Sequence, residues 1–490
     1  MRKFKYKFQM YRNLQANIAN IYNEARRAAD ELNIPQELRG RFGLTGAISG
    51  CPAPLRDDIL HAGEAGATEV IPLAKLVDEI RELVKDVYGD DFDAAPASTC
   101  EAGLWVTFDS LFSPPMMGRG DNYRSRYIAP YEKHMHHQGG YGRPFPPRFK
   151  DFLADRGSTA GELGFYGKRQ NNLDTVIVPL AGAWYDVHGI KYHPVPLLTN
   201  VDPEESIEIL SQYADIHAPF LAGITSLGYE TPGYGYGAKD EEGTPVLQKY
   251  LSELAHSYDL PYVIDNAWGL PFVGASPLKN GADVIVYSMD KATGAATSGL
   301  IIGREEYMVP IRRAMGLHGD RYGTTASYGR AAYVTYDPGK EALLTQIQAL
   351  KVLRDRPQVL TQPVDDLERI IKEEFAQIQL PDHLKDGILI SKSYNSTAVE
   401  VNYEKTWQNR EMGIPIFSIE DMYAGTNLFQ TGLSQMGVIP TVAYDGNIYI
   451  SPGLGTCDSK GQLIEENTRY AIKALVRLIE IVCRYAGITE

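Results

Sequence analysis

The chain has 490 residues, 44 % hydrophobic and 22 % charged, proportions that exclude disorder, collagen and coiled coil. Acidic side chains outnumber basic ones by 62 to 48, a formal net charge of −14 that repels phosphate backbones, and no basic patch offsets it, so no nucleic-acid partner is expected. Cys51, Cys100, Cys457 and Cys483 lie far apart with no CxxC pair and no His/Cys ligand spacing, which excludes a disulfide framework or zinc module and predicts a reducing, cytoplasmic setting.

The basic start, Met1 to Lys7, has no apolar core behind it and does not read as a signal peptide. No apolar run approaches the ~20 residues that span a bilayer, so no membrane partner is expected. Leu14, Ile18, Ile21, Ala25, Ala28 and Leu32 recur at helical spacing until Pro35, predicting a helix over about 11–38. The glycine-punctuated loop Gly43 to Pro52 follows, then a second helix over 73–87. Ser98-Thr99-Cys100-Glu101-Ala102-Gly103 reads as a loop feeding a helix that carries the apolar run 104–112. From 114 to 172 the chain turns rich in Gly, Pro, Tyr, His and Arg, an irregular insertion of the kind that covers a site or makes a subunit contact.

Alternation then sets in. Strands are expected at 175–180, 220–226, 261–265, 283–287 and 299–303, with helices at 204–213 and 245–257 between them. Short buried strands alternating with helices predict an α/β fold, a three-layer α/β/α arrangement on a mostly parallel sheet. A helix-rich stretch at 340–374 leads to strands at 387–391, 398–401 and 447–451 and a terminal helix over 464–484, a smaller α+β domain. The expected division is an arm over 1–70, a large domain over 71–340 and a small domain over 341–490.

Two segments carry chemistry. Asp265 closes a buried strand in Val263-Ile264-Asp265-Asn266-Ala267-Trp268-Gly269, while Ser288 and Lys291 follow another in Val284-Ile285-Val286-Tyr287-Ser288-Met289-Asp290-Lys291. Strand carboxyl ends of a parallel sheet face one crevice, so a carboxylate, a hydroxyl and an amine converge there. Pyridoxal phosphate needs that set: the carboxylate keeps the pyridine nitrogen protonated, the amine condenses with the aldehyde and the hydroxyl contacts the phosphate. Taken singly, Asp265 before Asn266 also reads as a turn former. Ser98-Thr99 likewise reads as a helix cap, although a helix amino terminus is itself a phosphate site.

With Ser98-Thr99-Cys100 as a phosphate loop, Asp265 at a strand end and Ser288-x-x-Lys291, the chain resembles the fold type I pyridoxal-phosphate enzymes, the aspartate aminotransferase superfamily. Within it, the segment from Tyr287 to Glu306 looks most like the selenocysteine-synthase and glucosaminate-phosphate ammonia-lyase group, although Ala295-Ala296-Thr297-Ser298 replaces a Gly-Pro-Gln type loop. The resemblance implies pyridoxal 5'-phosphate held by Ser98, Thr99, Cys100, Asp265, Ala267, Ser288 and Lys291, with Lys291 and Asp265 catalytic. It implies a ring stacked on the cofactor, for which Trp184 is the choice and His188 the runner-up, and both also read as core or interface residues. His188 and Arg321 are candidate substrate ligands, against an ordinary surface ion pair for the arginine. His134, His136 and His137 lack a metal-ligand pattern and read as a solvated or intersubunit loop. Tyr229, Thr231 and Gly233 to Gly237 read as a cofactor contact or a plain loop.

The function expected is a lyase or β-eliminating or β-replacing enzyme acting at the α-carbon of an amino acid or amino-sugar acid. An aminotransferase is the alternative, and a tRNA-dependent transferase stands behind both. A homodimer with shared sites, or a higher homo-oligomer, is the expected assembly.

Overall fold

The computed structural model of the chain describes residues 6–46, 53–112, 126–132, 191–197, 203–228, 238–291, 293–316, 336–392, 398–407, 412–415, 428–441, 443–444 and 447–488. They fall into two units, Asp57–Pro357, and Met1–Arg56 together with Gln358–Glu490. The sequence reading draws its lines instead at 70 and 340.

Val, Ile and Tyr dominate the strands of the first unit, residues that suit a pleated surface covered on both faces. The strands are β1 Phe92–Ala97, β2 Arg126–Glu132, β3 Lys191–Leu197, β4 Leu221–Leu227, β5 Tyr262–Asn266, β6 Val284–Ser288 and β7 Gly299–Arg304. They form one sheet in the order β1-β7-β6-β5-β4-β2-β3. Only β7 runs against its neighbours, antiparallel to both β1 and β6; β2 to β6 pair in parallel. The α/β architecture with a mostly parallel sheet is as expected. Helices Leu73–Tyr88, Cys100–Phe112 and Val246–Ser257 lie where the sequence periodicity puts helices, and Pro203–His217 extends the expected one. Leu76, Val77, Ile80, Leu83 and Val84 bury the stripe of the helix over 73–88. Fully burying each such aliphatic side chain contributes roughly 1.5–3 kcal/mol.

Three strands escape the pattern because they contain proline. In β1, Phe-Asp-Ala-Ala-Pro-Ala, no residue is β-branched, yet all six are buried. Pro96 is tolerated because β1 is the edge of the sheet and pairs with β7 alone. In β2, Pro130 lies beyond the Arg126–Ile128 stretch that pairs with β4; β3 is the opposite edge and carries Pro194 and Pro196. The insertion over 114–172, expected to be irregular, therefore contains a sheet strand, which corrects that reading. The strand expected at 175–180 lies outside the described residues.

The amino-terminal side of this sheet is held by charge. Asp93 accepts from Arg81 Nε at 2.7 Å, Arg312 Nη1 at 2.9 Å and the Ala94 amide at 2.8 Å. Burial works against its charge, but these donors win and keep the carboxyl below its usual range. Asp283, buried just before β6, accepts from the Tyr262 amide at 2.8 Å and contacts His256 at 3.0 Å.

The second unit joins both ends of the chain. The expected long amino-terminal helix is two, Lys7–Ala16 and Ile18–Glu31, broken at Asn17. Ile21, Ala25, Ala28 and Ala29 are buried in one cluster with Leu475, Leu478, Ile479 and Val482 of the terminal helix Glu465–Tyr485. Phe42–Gly43 pairs in parallel with Val438–Ile439. Ala443–Tyr444, Asn447–Ile450, Val399–Asn402 and Leu389–Lys392 form a four-stranded antiparallel sheet in that order.

Candidate active site

Strand register brings the candidate residues to one edge of the seven-stranded sheet. Ala97 and Ser288 both pair with Gly299, Asn266 pairs with Tyr287, and Asp265 with Leu227. The carboxyl ends of β1, β4, β5 and β6 therefore share an edge; β1, β5 and β6 continue into segments singled out above, Ser98-Thr99-Cys100, Ala267-Trp268 and Met289-Asp290-Lys291, and β4 continues into Gly228. The crevice of a parallel sheet lies outside such an edge.

At β1 the chain turns through Ser98 and Thr99 into the helix Cys100–Phe112. Ser98 donates its amide to Tyr336 O at 2.6 Å. Thr99 Oγ1 accepts from the Ala102 amide at 3.0 Å, so Thr99 is the helix cap. Its hydroxyl proton is still available to an anion, and the amides of Cys100 and Glu101 begin the helix with no intrahelical acceptor. Cap and anion site coincide here. Glu101 is exposed.

At β5, Asp265 is 6 % exposed. Its Oδ1 accepts from the Ala267 amide at 3.2 Å and its carbonyl from the Gly228 amide at 2.6 Å. The turn-forming role is thus present in the Asp265 carboxylate. Asn266 was not singled out by sequence, where it reads as part of the turn. It is fully buried, with both Nδ2 and Oδ1 lacking a hydrogen-bond partner. A Cβ on Gly228 would lie 2.4 Å from its Cγ, and one on Gly269 would lie 2.0 Å from its Nδ2, so glycine is required on both sides. Trp268, three residues after Asp265 in the same segment, is also buried.

At β6, Ser288 is 2 % exposed and donates its hydroxyl to Asp290 Oδ1. Its one proton is therefore given to Asp290, and a phosphate bond from Ser288 requires that hydroxyl to turn. Lys291 is half-buried on the loop that follows. The stem of that loop is closed by Met289 N to Ser298 O at 2.9 Å, with Ala295 N on Met289 O at 3.1 Å. The electrostatics of Cys100 link the three strand ends. Burial pushes its thiol well up, Asp265 and Asp290 add to that, and Lys291 opposes it. The link is tight in the backbone too, since a Cβ on Gly299 would lie 2.3 Å from Thr99 O and 2.8 Å from Cys100 N.

A buried carboxylate, a lysine and a capped helix start on one sheet edge fit pyridoxal phosphate, which needs an acid for its ring nitrogen, an amine for its aldehyde and donors for its phosphate. Trp184, His188, Arg321, His134, His136, His137, Tyr229, Thr231 and Gly233 to Gly237 lie outside the described residues. Among the described residues no cluster of His, Cys, Asp and Glu suits a metal ion, and no helix is long and apolar enough to cross a membrane.

No family model matches the chain. A stretch of 156 residues, 32 % of the chain, is 25 % identical to O-phospho-L-seryl-tRNA:Cys-tRNA synthase 1 of Methanospirillum hungatei and spans 35 % of that protein's length. Among solved structures, a SepCysS–SepCysE N-terminal domain complex matches at TM-score 0.51 and 12 % identity over 92 % of this chain and 98 % of that one. A transaminase from the marine bacterium Virgibacillus matches at TM-score 0.53 and 13 % identity over 91 % of this chain and 89 % of that one. Taurine:2-oxoglutarate aminotransferase from Bifidobacterium kashiwanohense, solved with PLP and glutamate, matches at TM-score 0.53 and 12 % identity over 87 % and 86 %. The sheet with its single reversed strand and these neighbours agree: the chain has the fold of the fold type I pyridoxal-phosphate enzymes.

Proposed function

We propose that the chain is a pyridoxal-phosphate enzyme acting at the α-carbon of an amino acid or amino-sugar acid, as a lyase or a β-eliminating or β-replacing enzyme. The cofactor reading is supported by the sharing of one sheet edge by the strand that ends at Asp265, the strand that precedes Lys291 and the helix start at Thr99–Cys100, and the lyase reading by the resemblance of the Tyr287 to Glu306 segment to the ammonia-lyase group. When bound, the cofactor supplies an electron sink for charge developing at the substrate carbon. Asp265, kept from bulk water, holds a proton on the ring nitrogen. Lys291 Nζ would be the amine that holds the cofactor's aldehyde carbon, and it would take or return the α-proton of the substrate. Thr99 and the amides of Cys100 and Glu101 bind the phosphate, and Gly299 lets that turn approach the Lys291 loop.

The experiment is reconstitution with pyridoxal phosphate, followed by product analysis over a panel of amino acids. Ammonia and a keto acid formed without an acceptor support the lyase reading. Amino transfer only in the presence of a keto acid would replace it with an aminotransferase. A second reading rests on the curated relative, whose name gives it an aminoacyl-tRNA substrate: this chain then acts on an amino acid carried by tRNA. Salt-sensitive tRNA retention in filter binding supports that reading, and no retention at low salt removes it.

A further inference from the structure

Helix Lys340–Asp355 turns two polar side chains inward. Thr345 and Gln346 are both buried, Gln346 fully, and both are committed to the segment that follows Lys291. Thr345 Oγ1 accepts from the Ala296 amide at 3.1 Å while donating to Ala342 O at 2.9 Å. Gln346 Nε2 donates to Gly299 O at 3.0 Å and reaches Ser298 Oγ at 3.4 Å. Gly299 is the residue whose α-carbon lies against Thr99 O and Cys100 N, in register between Ala97 and Ser288. The Gln346 amide thus holds the point where the phosphate turn and the lysine loop touch.

The arrangement is costly. Gln346 Oε1 is buried without a hydrogen-bond partner, a desolvation penalty that methionine, of equal length, would not carry. A carboxamide is kept there for its donor. We propose that Gln346 is a positioning residue, fixing the Lys291 loop and the Thr99–Cys100 turn at their junction so that amine and phosphate donors meet one cofactor. This rests on the pyridoxal-phosphate reading for its purpose, but the clamp itself can be measured without cofactor.

The test compares Gln346→Met, which keeps length and removes the donor, with Gln346→Glu, which keeps length and turns the donor into an acceptor facing Gly299 O. In the cofactor-free protein, amide hydrogen exchange of a peptide covering 289–299 should quicken in Gln346→Met, while a peptide covering β5 exchanges as in the parent. General destabilisation would move both. The dissociation constant for pyridoxal phosphate should rise about five- to ten-fold in Gln346→Met, the loss of one buried hydrogen bond, and further in Gln346→Glu. Parental loop exchange and parental affinity in Gln346→Met overturn the proposal, as does a Gln346→Glu variant no worse than the methionine one. Should Gln346→Met not fold, Gln346→Asn, which keeps the amide but shortens its reach, is read in the same way. A parent protein that takes up no pyridoxal phosphate sinks the functional reading instead, and the exchange comparison then decides the clamp alone.

Discussion

A lysine that holds its cofactor covalently can be trapped by reduction. Borohydride treatment of the reconstituted protein followed by peptide mapping should place the label on Lys291, and a label on another lysine would remove the assignment. Asp265→Asn should still take up pyridoxal phosphate but lose turnover by about a hundred-fold or more, because an amide does not keep the ring nitrogen protonated. Near-normal turnover would contradict the role. Asp337, one residue beyond the carbonyl that holds Ser98, has an Oδ1 buried without a partner, and burial pushes its carboxyl from 3.8 up to about 7. Between those values the unfolded chain has released the proton and the folded chain keeps it, so stability falls as pH rises, and above about 7 the whole penalty remains. Asp337→Asn should therefore raise the melting temperature more at pH 8 than at pH 5. Equal gains at both would show that the carboxylate is not the cause. At this scale the sequence set Asp265 at one strand end and Lys291 just beyond another, and the register puts those two strand ends on one edge. Gln346 and Asn266 were not legible, since a glutamine in a helix and an asparagine in a turn look ordinary until burial is known.

Elements were legible in proportion to how cleanly their periodicity survives. Strands β4 to β7 are short apolar runs and the amphipathic helices follow period 3.6, but β1 is recognisable only through what surrounds it: an edge position for Pro96 and two arginines for Asp93. The contact between β7 and the turn after β1 gives a graded test. Gly299→Ala drives a methyl into Thr99 O and should cost about 1–3 kcal/mol in chemical denaturation, with weakened cofactor uptake. Gly103→Ala meets side-chain carbons, Val286 and Ile301 at 3.0 and 3.3 Å and Ala97 at 3.7 Å, and gains helix propensity, so it should change stability by less than about 1 kcal/mol. Similar costs for the two would mean that the turn is not pressed against the strand.

For the whole molecule, we propose a two-fold homodimer in which segments of one subunit complete the crevice of the other. The segments favoured for that role, 114–172 and the loop over 43–52, lie largely outside the described residues. Sedimentation at assay concentration should give twice the chain mass, and an active monomer would refute the shared site. If a dimer forms, mixing Lys291→Ala subunits with subunits altered in the 43–52 loop should restore part of the activity, because one site per hybrid is assembled from intact halves. Fold class was legible at this scale, since alternation of strand and helix is a long-range pattern. The pairing of the first 56 residues with the last stretch was not, because nothing in local periodicity says which distant helix will cover an apolar stripe.

That pairing sets a timetable for synthesis. Roughly 300 residues of the intervening unit must leave the ribosome before Gln358 and its followers can appear. At about 5–20 residues per second the wait is on the order of 15–60 s. Through all of it Ile21, Ala25, Ala28 and Ala29 lack the leucines and isoleucines of Glu465–Tyr485 that bury them in the finished protein. Until those residues emerge the apolar stripe of Ile18–Glu31 stays uncovered, a surface for chaperones to hold while the whole of the intervening unit is already available to fold.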